Sequence, residues 1–410
     1  MEVRRLMEDR PAMVGAATGA PVSLPEVAAL LRGLDRDQRR AVTHAEGPLL
    51  VVAGPGTGKT EVLTRRIAWL VATKRARPAE ILALTFTERA AAEMSARVDL
   101  LVPYGHAEAA IHTFHAFGDG LIRESAHELG LPMAPRLIDR AEAVALLKEH
   151  LFELGLDRYR PLADPTRFLA TIVDRCTRAK DEGLTPADLM HHSELMAARA
   201  RAAALADSAG IEDAAALADA AAGERELAIA YDRYQALLVE RGLIDFADQV
   251  SLAARLLAER PAIRAELQRR YRYLLVDEFQ DTDPVQLRLL SLLAGRKKNV
   301  TVVGDDDQSI YTFRGAAVGN IMGFSDTFPG TQRVVLRRNH RSHGPILVAA
   351  QRLVRHNDPH RLEAREGLDK TLVAVRRKRG PEKVRLRAFD SAASEADALA
   401  ALIAERIRGG

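Results

Sequence analysis

The stretch VVAGPGTGKT, Val51–Thr60, decides how this chain is read. An apolar run ends in a glycine-rich loop, and Lys59 and Thr60 follow where a helix opens. A strand, loop and helix in that order can cradle phosphate. The loop N–H groups converge on the anion, and the helix N-terminus adds a positive end. Lys59 supplies a mobile charge for the β- and γ-phosphates, and the Thr60 hydroxyl can ligate Mg2+. Gly54, Gly56 and Gly58 keep the loop permissive around Thr57, while Ala53 stands where the strict pattern begins with glycine.

Such a loop needs a carboxylate on a neighbouring strand to hold the metal. LLVDEFQDTD (Leu274–Asp283) offers one, because Asp277 and Glu278 end an apolar run. Asp277 is assigned to Mg2+, directly or through water, and Glu278 to the general base that activates the attacking water. VVGDDDQSIYTFRGA (Val302–Ala316) follows another apolar run. Gln308 lies where an amide can contact the γ-phosphate and report its loss. Tyr311 and Phe313 follow closely, and spacing alone leaves two readings for them: base stacking linked to hydrolysis, or core packing.

Five short apolar runs lack polar alternation: Pro48–Ala53, Ile81–Thr87, Tyr273–Phe279, Val300–Asp305 and Arg333–Asn339. Buried parallel strands look like this. Helical patterns follow most of them; after Thr60, residues Val62, Leu63, Ile67, Leu70 and Val71 fall near helical spacing. Strands alternating with helices predict a doubly wound α/β sheet. From about His112 to Pro261 the pattern is helical, as if inserted between the second and third of these strands. The Ala-rich run Glu194–Glu240 reads as plain helix or partly flexible linker. After Asn339–Ser342 come a helix, a basic loop (Arg376–Gly380), an expected strand (Val384–Phe389) and a last helix. The basic loop reads as a solvated surface rather than a DNA contact.

The 410 residues predict two or three domains. Apolar residues at 47% and charged residues at 28% fit a globular protein. A net charge of +3 carries no argument for a nucleic-acid partner, so local clusters matter more. Cys176 is the only cysteine, which rules out an internal disulfide and a cysteine-based metal site and fits a reducing cytoplasm. No apolar run approaches the roughly 20 residues of a membrane span. The first 23 residues read as a disordered lead-in, without the apolar core of a signal peptide.

DEFQDT (Asp277–Thr282) together with GDDDQSIYTFRGA (Gly304–Ala316) resembles the UvrD/PcrA/Rep-like DNA helicases of superfamily one. Other pieces match in order. LDRDQRRAV (Leu34–Val42) resembles the family's adenine-reading segment, with Gln38 as the bidentate amide. Leu82–Val98 and Ile111–Arg123 resemble its two segments that contact single-stranded DNA. Leu243–Leu257 resembles the usual lead-in to the acidic strand. LRRNHRS (Leu336–Ser342) resembles the segment that supplies an arginine finger, here Arg341. His340 stands where the family usually has an aromatic that stacks on adenine.

The resemblance implies a RecA-like P-loop NTPase sheet in a first motor domain (24–111 and 262–335). A helical subdomain (112–261) is inserted in it, and an incomplete second RecA-like domain (336–410) follows. It implies ATP with Mg2+ as cofactors. The implied partners are single-stranded DNA and single-strand/duplex junctions, contacted by Phe86, His115, Tyr311 and Phe313. Thr85, Thr113 and Arg314 either touch DNA phosphate or brace the structure. Movement 3′ to 5′ in repair or recombination is the family's habit. Its later motifs have no match here, so the chain reads as the N-terminal half of a helicase: a truncated product, an expressed fragment, or a subunit whose missing half a protein partner supplies. The alternative is an ATP- or DNA-binding module that does not unwind.

Overall fold

The computed structural model describes residues 26–102, 109–205, 211–310, 318–376 and 384–409. The lead-in, Tyr311, Phe313, Arg314 and most of the basic loop lie outside the described residues.

Strand β1 (Leu49–Ala53) is buried at all five positions, and so is β2 (Ile81–Thr85). The edge strand β3 (Ala110–Thr113) is more exposed. Next come β4 (Tyr273–Val276) and β5 (Val300–Gly304), again buried throughout, and β6 (Gln332–Leu336). The sheet order is β3-β2-β4-β5-β1-β6. The β2–β3, β2–β4, β4–β5 and β1–β5 pairings are parallel. Unbroken Leu/Ile/Val runs form strands here because both faces are covered. Val52 pairs with Gly304 and Val276 with Val302, so β1, β4 and β5 release their chains at the same sheet edge. In an open α/β sheet that edge is where ligands bind.

Helix α1 (Arg36–Val42) starts with a capping box. Asp35 accepts from the Asp37 and Gln38 N–H groups, and the Gln38 side chain accepts from Asp35 N–H. Helix α2 (Lys59–Ala72) buries Val62, Leu63, Ile67, Leu70 and Val71, the stripe expected from their spacing. Helices α3 (Glu88–Leu101) and α4 (Phe114–Glu124) are capped by the Thr87 and Thr113 hydroxyls. The insertion contributes α5 (Leu169–Asp181), α6 (Pro186–Leu205), α7 (Ile211–Glu240) and α8 (Asp248–Glu259). Its core gathers Leu147, Ile172, Cys176, Tyr234 and Leu237. The Ala-rich run thus forms helix in both α6 and α7. Helix α9 (Pro284–Leu293) begins with Asp283 as N-cap and Pro284 at its first position.

The chain divides into two units, Met1–Val52 with Lys59–Val334, and Ala53–Gly58 with Val335–Gly410. The second holds a two-residue parallel ladder, Arg338–Asn339 on Val373–Ala374. It also holds helices α10 (Gly344–Val354) and α11 (Ala392–Arg408).

Two expectations are corrected. Val384–Phe389 is not a strand; these residues are exposed and make no ladder with any described residue. Ala110–Thr113 is a strand although no apolar run announced it, because an edge position needs cover on fewer sides. Among the described residues, no helix is long and apolar enough to cross a membrane.

Candidate active site

The edge formed by β1, β4 and β5 collects five of the expected residues. Lys59 opens α2, and its Nζ lies 2.5 Å from Glu278 Oε2 and 3.2 Å from Gln308 Oε1. Thr60 Oγ1 donates to Asp277 Oδ2 at 3.4 Å. Gln308 closes the group by donating from Nε2 to Asp305 Oδ2 at 2.8 Å.

Local geometry explains how two adjacent acids take different places. Asp277 leaves β4 buried, and its Oδ1 accepts from Glu278 N–H at 3.0 Å. Glu278 adopts a left-handed backbone, φ 48°, which a non-glycine residue visits at a cost of order 1–3 kcal/mol. That conformation turns the Glu278 side chain toward Lys59 rather than along the strand direction. Burial pushes the Asp277 carboxyl up to about 6, with Glu278 adding to it and Lys59 opposing. Asp281 is pushed to about 6 for the same two reasons, burial and then Glu278.

The donor set fits a hard divalent cation. Asp277 and Thr60 present oxygen atoms side by side, and Asp277 is a buried carboxylate whose charge a bound cation would stabilise. Lys59 is held by protein oxygen atoms that phosphate oxygens could replace.

Gln280 is a member of the group that residue spacing did not single out. It is 1% exposed, donates to Glu278 Oε2 at 2.9 Å, and accepts from Asp305 N–H at 3.0 Å. It therefore ties the end of β4 to the end of β5. A Cβ on Gly304 would lie 2.7 Å from Gln280 Oε1, so glycine is required for this approach. The available signal was an amide two residues beyond a catalytic-type carboxylate.

The glycine-rich loop belongs to the second unit. Gly56 and Gly58 take φ 74° and 89°, and Thr57 Oγ1 donates to Gly54 O at 2.7 Å. Arg341 and His340 are exposed in that unit. In the first unit, Gln38 is buried in the α1 capping box. Phe86 is half-buried just past β2. Thr85 Oγ1 donates to Thr87 O, and Thr113 Oγ1 donates to Glu88 Oε1. His115 stacks on Phe246, with ring centroids 4.0 Å apart and planes 21° apart. Burial pushes His115 down to about 4, against the pull of Glu88. Phe246 is 58% exposed, and residue spacing did not predict it. Its signal was an apolar ring beside two aspartates in LIDFADQ.

Residues 34–329 match the model of the UvrD/REP helicase N-terminal domain. The chain is 37% identical over 333 residues to the ATP-dependent DNA helicase PcrA of Leuconostoc citreum, covering 81% of this chain and 40% of that protein. It is 35% identical to DNA helicase II of Escherichia coli K12, covering 81% of this chain and 42% of the relative. A probable DNA helicase II homolog of Rickettsia felis is 36% identical over 79% of this chain and 45% of its own length. The chain thus spans under half the length of these relatives. With the family model covering most of its length and every strand of the site in parallel order, the chain belongs to the UvrD/REP helicase N-terminal domain family.

Proposed function

We propose that this chain is the ATP-hydrolysing motor half of a DNA helicase or translocase. The observation that carries the reading is the convergence of Lys59, Glu278 and Gln308, with Thr60 and Asp277 paired beside them. The relatives' names, ATP-dependent DNA helicase and DNA helicase II, agree with it.

In this reading the loop Gly54–Gly58 receives the phosphates, and Lys59 exchanges Glu278 for a phosphate oxygen. Glu278 is then released to take the proton of an attacking water. Gln308, held by Asp305, contacts the γ-phosphate and changes partner when it leaves. Thr60 and Asp277 hold Mg2+, which when bound neutralises charge on the phosphate oxygens. Arg341 is the candidate arginine finger, and an arginine of that kind is worth about 10³–10⁵ in rate. Gln38 reads adenine by its amide. Phe86, His115, Tyr311 and Phe313 line the path of single-stranded DNA. Movement 3′ to 5′, a role in repair or recombination, and a cytoplasmic setting complete the proposal.

Steady-state ATP hydrolysis with and without single-stranded DNA tests it, against Lys59→Ala and Glu278→Gln. DNA-stimulated turnover abolished by both substitutions supports the motor. No turnover in the unsubstituted chain sinks it. A second reading, binding without unwinding, is favoured by α11, which buries none of its side chains and exposes Leu399, Ile403 and Ile407. A strand-displacement assay separates the two.

A further inference from the structure

We infer that Asn339 is a positioning residue that fixes the glycine-rich loop and the Arg341 turn to one another within the second unit. The carboxamide is 1% exposed. Its Nδ2 donates to Pro55 O at 2.5 Å. Its Oδ1 accepts from Arg341 N–H at 3.0 Å and from Ser342 N–H at 2.7 Å. One side chain thus spends a donor on the loop and its acceptor on the turn, a division that an amide can make and a carboxylate cannot.

The consequence for the loop follows from peptide planarity. In a trans peptide the C=O and the next N–H point in opposite directions. Anchoring Pro55 O on Asn339 therefore aims Gly56 N–H away from the 339–341 segment. His340 N–H donates to Gly56 O at 2.8 Å, which sets the Gly56–Thr57 peptide in the same manner. The Gly56 N–H is thereby oriented by a segment far away in sequence, which shares the orientation of the Thr57 N–H with a bond inside the loop to Gly54 O at 3.4 Å. The approach is close: a Cβ on Gly56 would lie 2.6 Å from Arg341 Cβ and 3.0 Å from Asn339 Nδ2.

The anchor itself is fixed. Asn339 pairs with Ala374 in the parallel ladder, and its carbonyl accepts from Val375 N–H at 2.9 Å. A neighbouring Leu372 side chain packs where a Cβ on Gly54 would meet it at 3.1 Å. The inference extends the proposed nucleotide reading. If the loop holds phosphate and Arg341 completes the site, Asn339 acts on both without touching the nucleotide.

Two substitutions separate the roles of the amide. Asn339→Asp keeps the acceptor and loses the donor; Asn339→Ala loses both. Residue-resolved hydrogen exchange on the ligand-free chain reads the bonds directly. In Asn339→Asp, the His340 amide should exchange at least fivefold faster while Arg341 and Ser342 stay protected. In Asn339→Ala all three should speed up. Unchanged His340 exchange in Asn339→Asp overturns the inference.

Steady-state kinetics with ATP then reads the function. Asn339→Asp should raise KM about tenfold with a smaller change in kcat, the size expected for one hydrogen bond in the loop. Asn339→Ala should also lower kcat, and by no further factor when Arg341→Ala is already present. A purely structural role would lower the melting temperature and leave KM alone, and that result overturns it too. If the unsubstituted chain shows no turnover, the nucleotide reading has failed, and the exchange result alone decides Asn339.

Discussion

Lys59 Nζ and Glu278 Oε2 stand 2.5 Å apart, so the cation that follows the glycine-rich loop and the carboxylate assigned to water activation neutralise one another. Neither can perform its assigned task while the pair persists. On the proposed reading, nucleotide binding breaks the pair and frees the carboxylate to act as base. Gln280 and Gln308 hold the two partners from either side.

Glu278→Gln removes the charge that competes for Lys59. The expected outcome is nucleotide affinity equal to or tighter than that of the parent chain, with turnover lower by about 10²–10⁴-fold, the usual contribution of a general base. Lys59→Ala should instead lose affinity. Titration with a fluorescent ATP analogue, alongside phosphate release, measures both. Weaker binding in Glu278→Gln would contradict the competition.

How much of this was legible in the sequence depends on what each feature rests on. The glycine-rich loop and the acidic strand end were readable because apolar runs mark parallel strands and both stand where those runs stop. Gln280 and Asn339 were not singled out. Both act through buried amides whose partners, Asp305 and Pro55, are distant in sequence, so no spacing rule brings them together. Edge strand β3 escaped because partial exposure leaves no unbroken apolar signature. The segment Val384–Phe389 failed in the opposite direction: a run read as a strand becomes one only when a neighbour completes its hydrogen bonds, and no described residue does so.

The insertion is fastened by a buried ion cluster. Lys180 Nζ lies 2.5 Å from Asp245 Oδ2 and 2.8 Å from Asp248 Oδ1, and Tyr234 Oη donates to Asp245 Oδ2 at 3.0 Å. Burial pushes the Asp245 carboxyl up, but the charge and hydrogen bond of Lys180, together with the bonds from Asp248 N–H and Tyr234, hold it below the usual carboxylate range, whereas burial pushes Asp248 up to about 6. Lys180→Met leaves two buried carboxylates sharing no cation and should cost about 3–5 kcal/mol. Urea unfolding followed by circular dichroism measures it. A loss under 1 kcal/mol would show that the cluster contributes little.

Asp283 gives the fold a pH dependence. Burial pushes its carboxyl from 3.8 up to about 7, with Asp181 acting in the same direction against the bond from Gln286 N–H. Asp181 is also pushed up to about 7, mainly by burial. A raised folded-state pKa means that the folded chain retains the proton longer than the unfolded one. The contribution is complete below pH 3.8 and is lost as pH rises through about 7. Asp283→Asn keeps the N-cap acceptor and removes the titration. The variant should lose less stability than the parent between pH 5 and pH 8, by on the order of 2 kcal/mol. Equal slopes in urea unfolding across that range would remove Asp283 as the cause.

The stacked pair His115–Phe246 makes the proposed DNA path testable without catalysis. Phe246 exposes 58% of its surface while one face rests on the His115 ring. An exposed ring supported from behind is suited to a nucleobase, because the support holds the ring in place before the base arrives. Phe246→Ala should weaken binding of a labelled oligothymidylate by about 1–3 kcal/mol at fixed salt. His115→Ala should weaken it less, and the double substitution should cost less than the sum, since the histidine acts through the ring it supports. Burial keeps His115 neutral above about pH 4, so its contribution should be constant from pH 6 to pH 8. Fluorescence anisotropy measures all of these. Parent affinity in Phe246→Ala would place single-stranded DNA elsewhere, whereas a pH-dependent contribution from His115 would mean that the ring is protonated on binding.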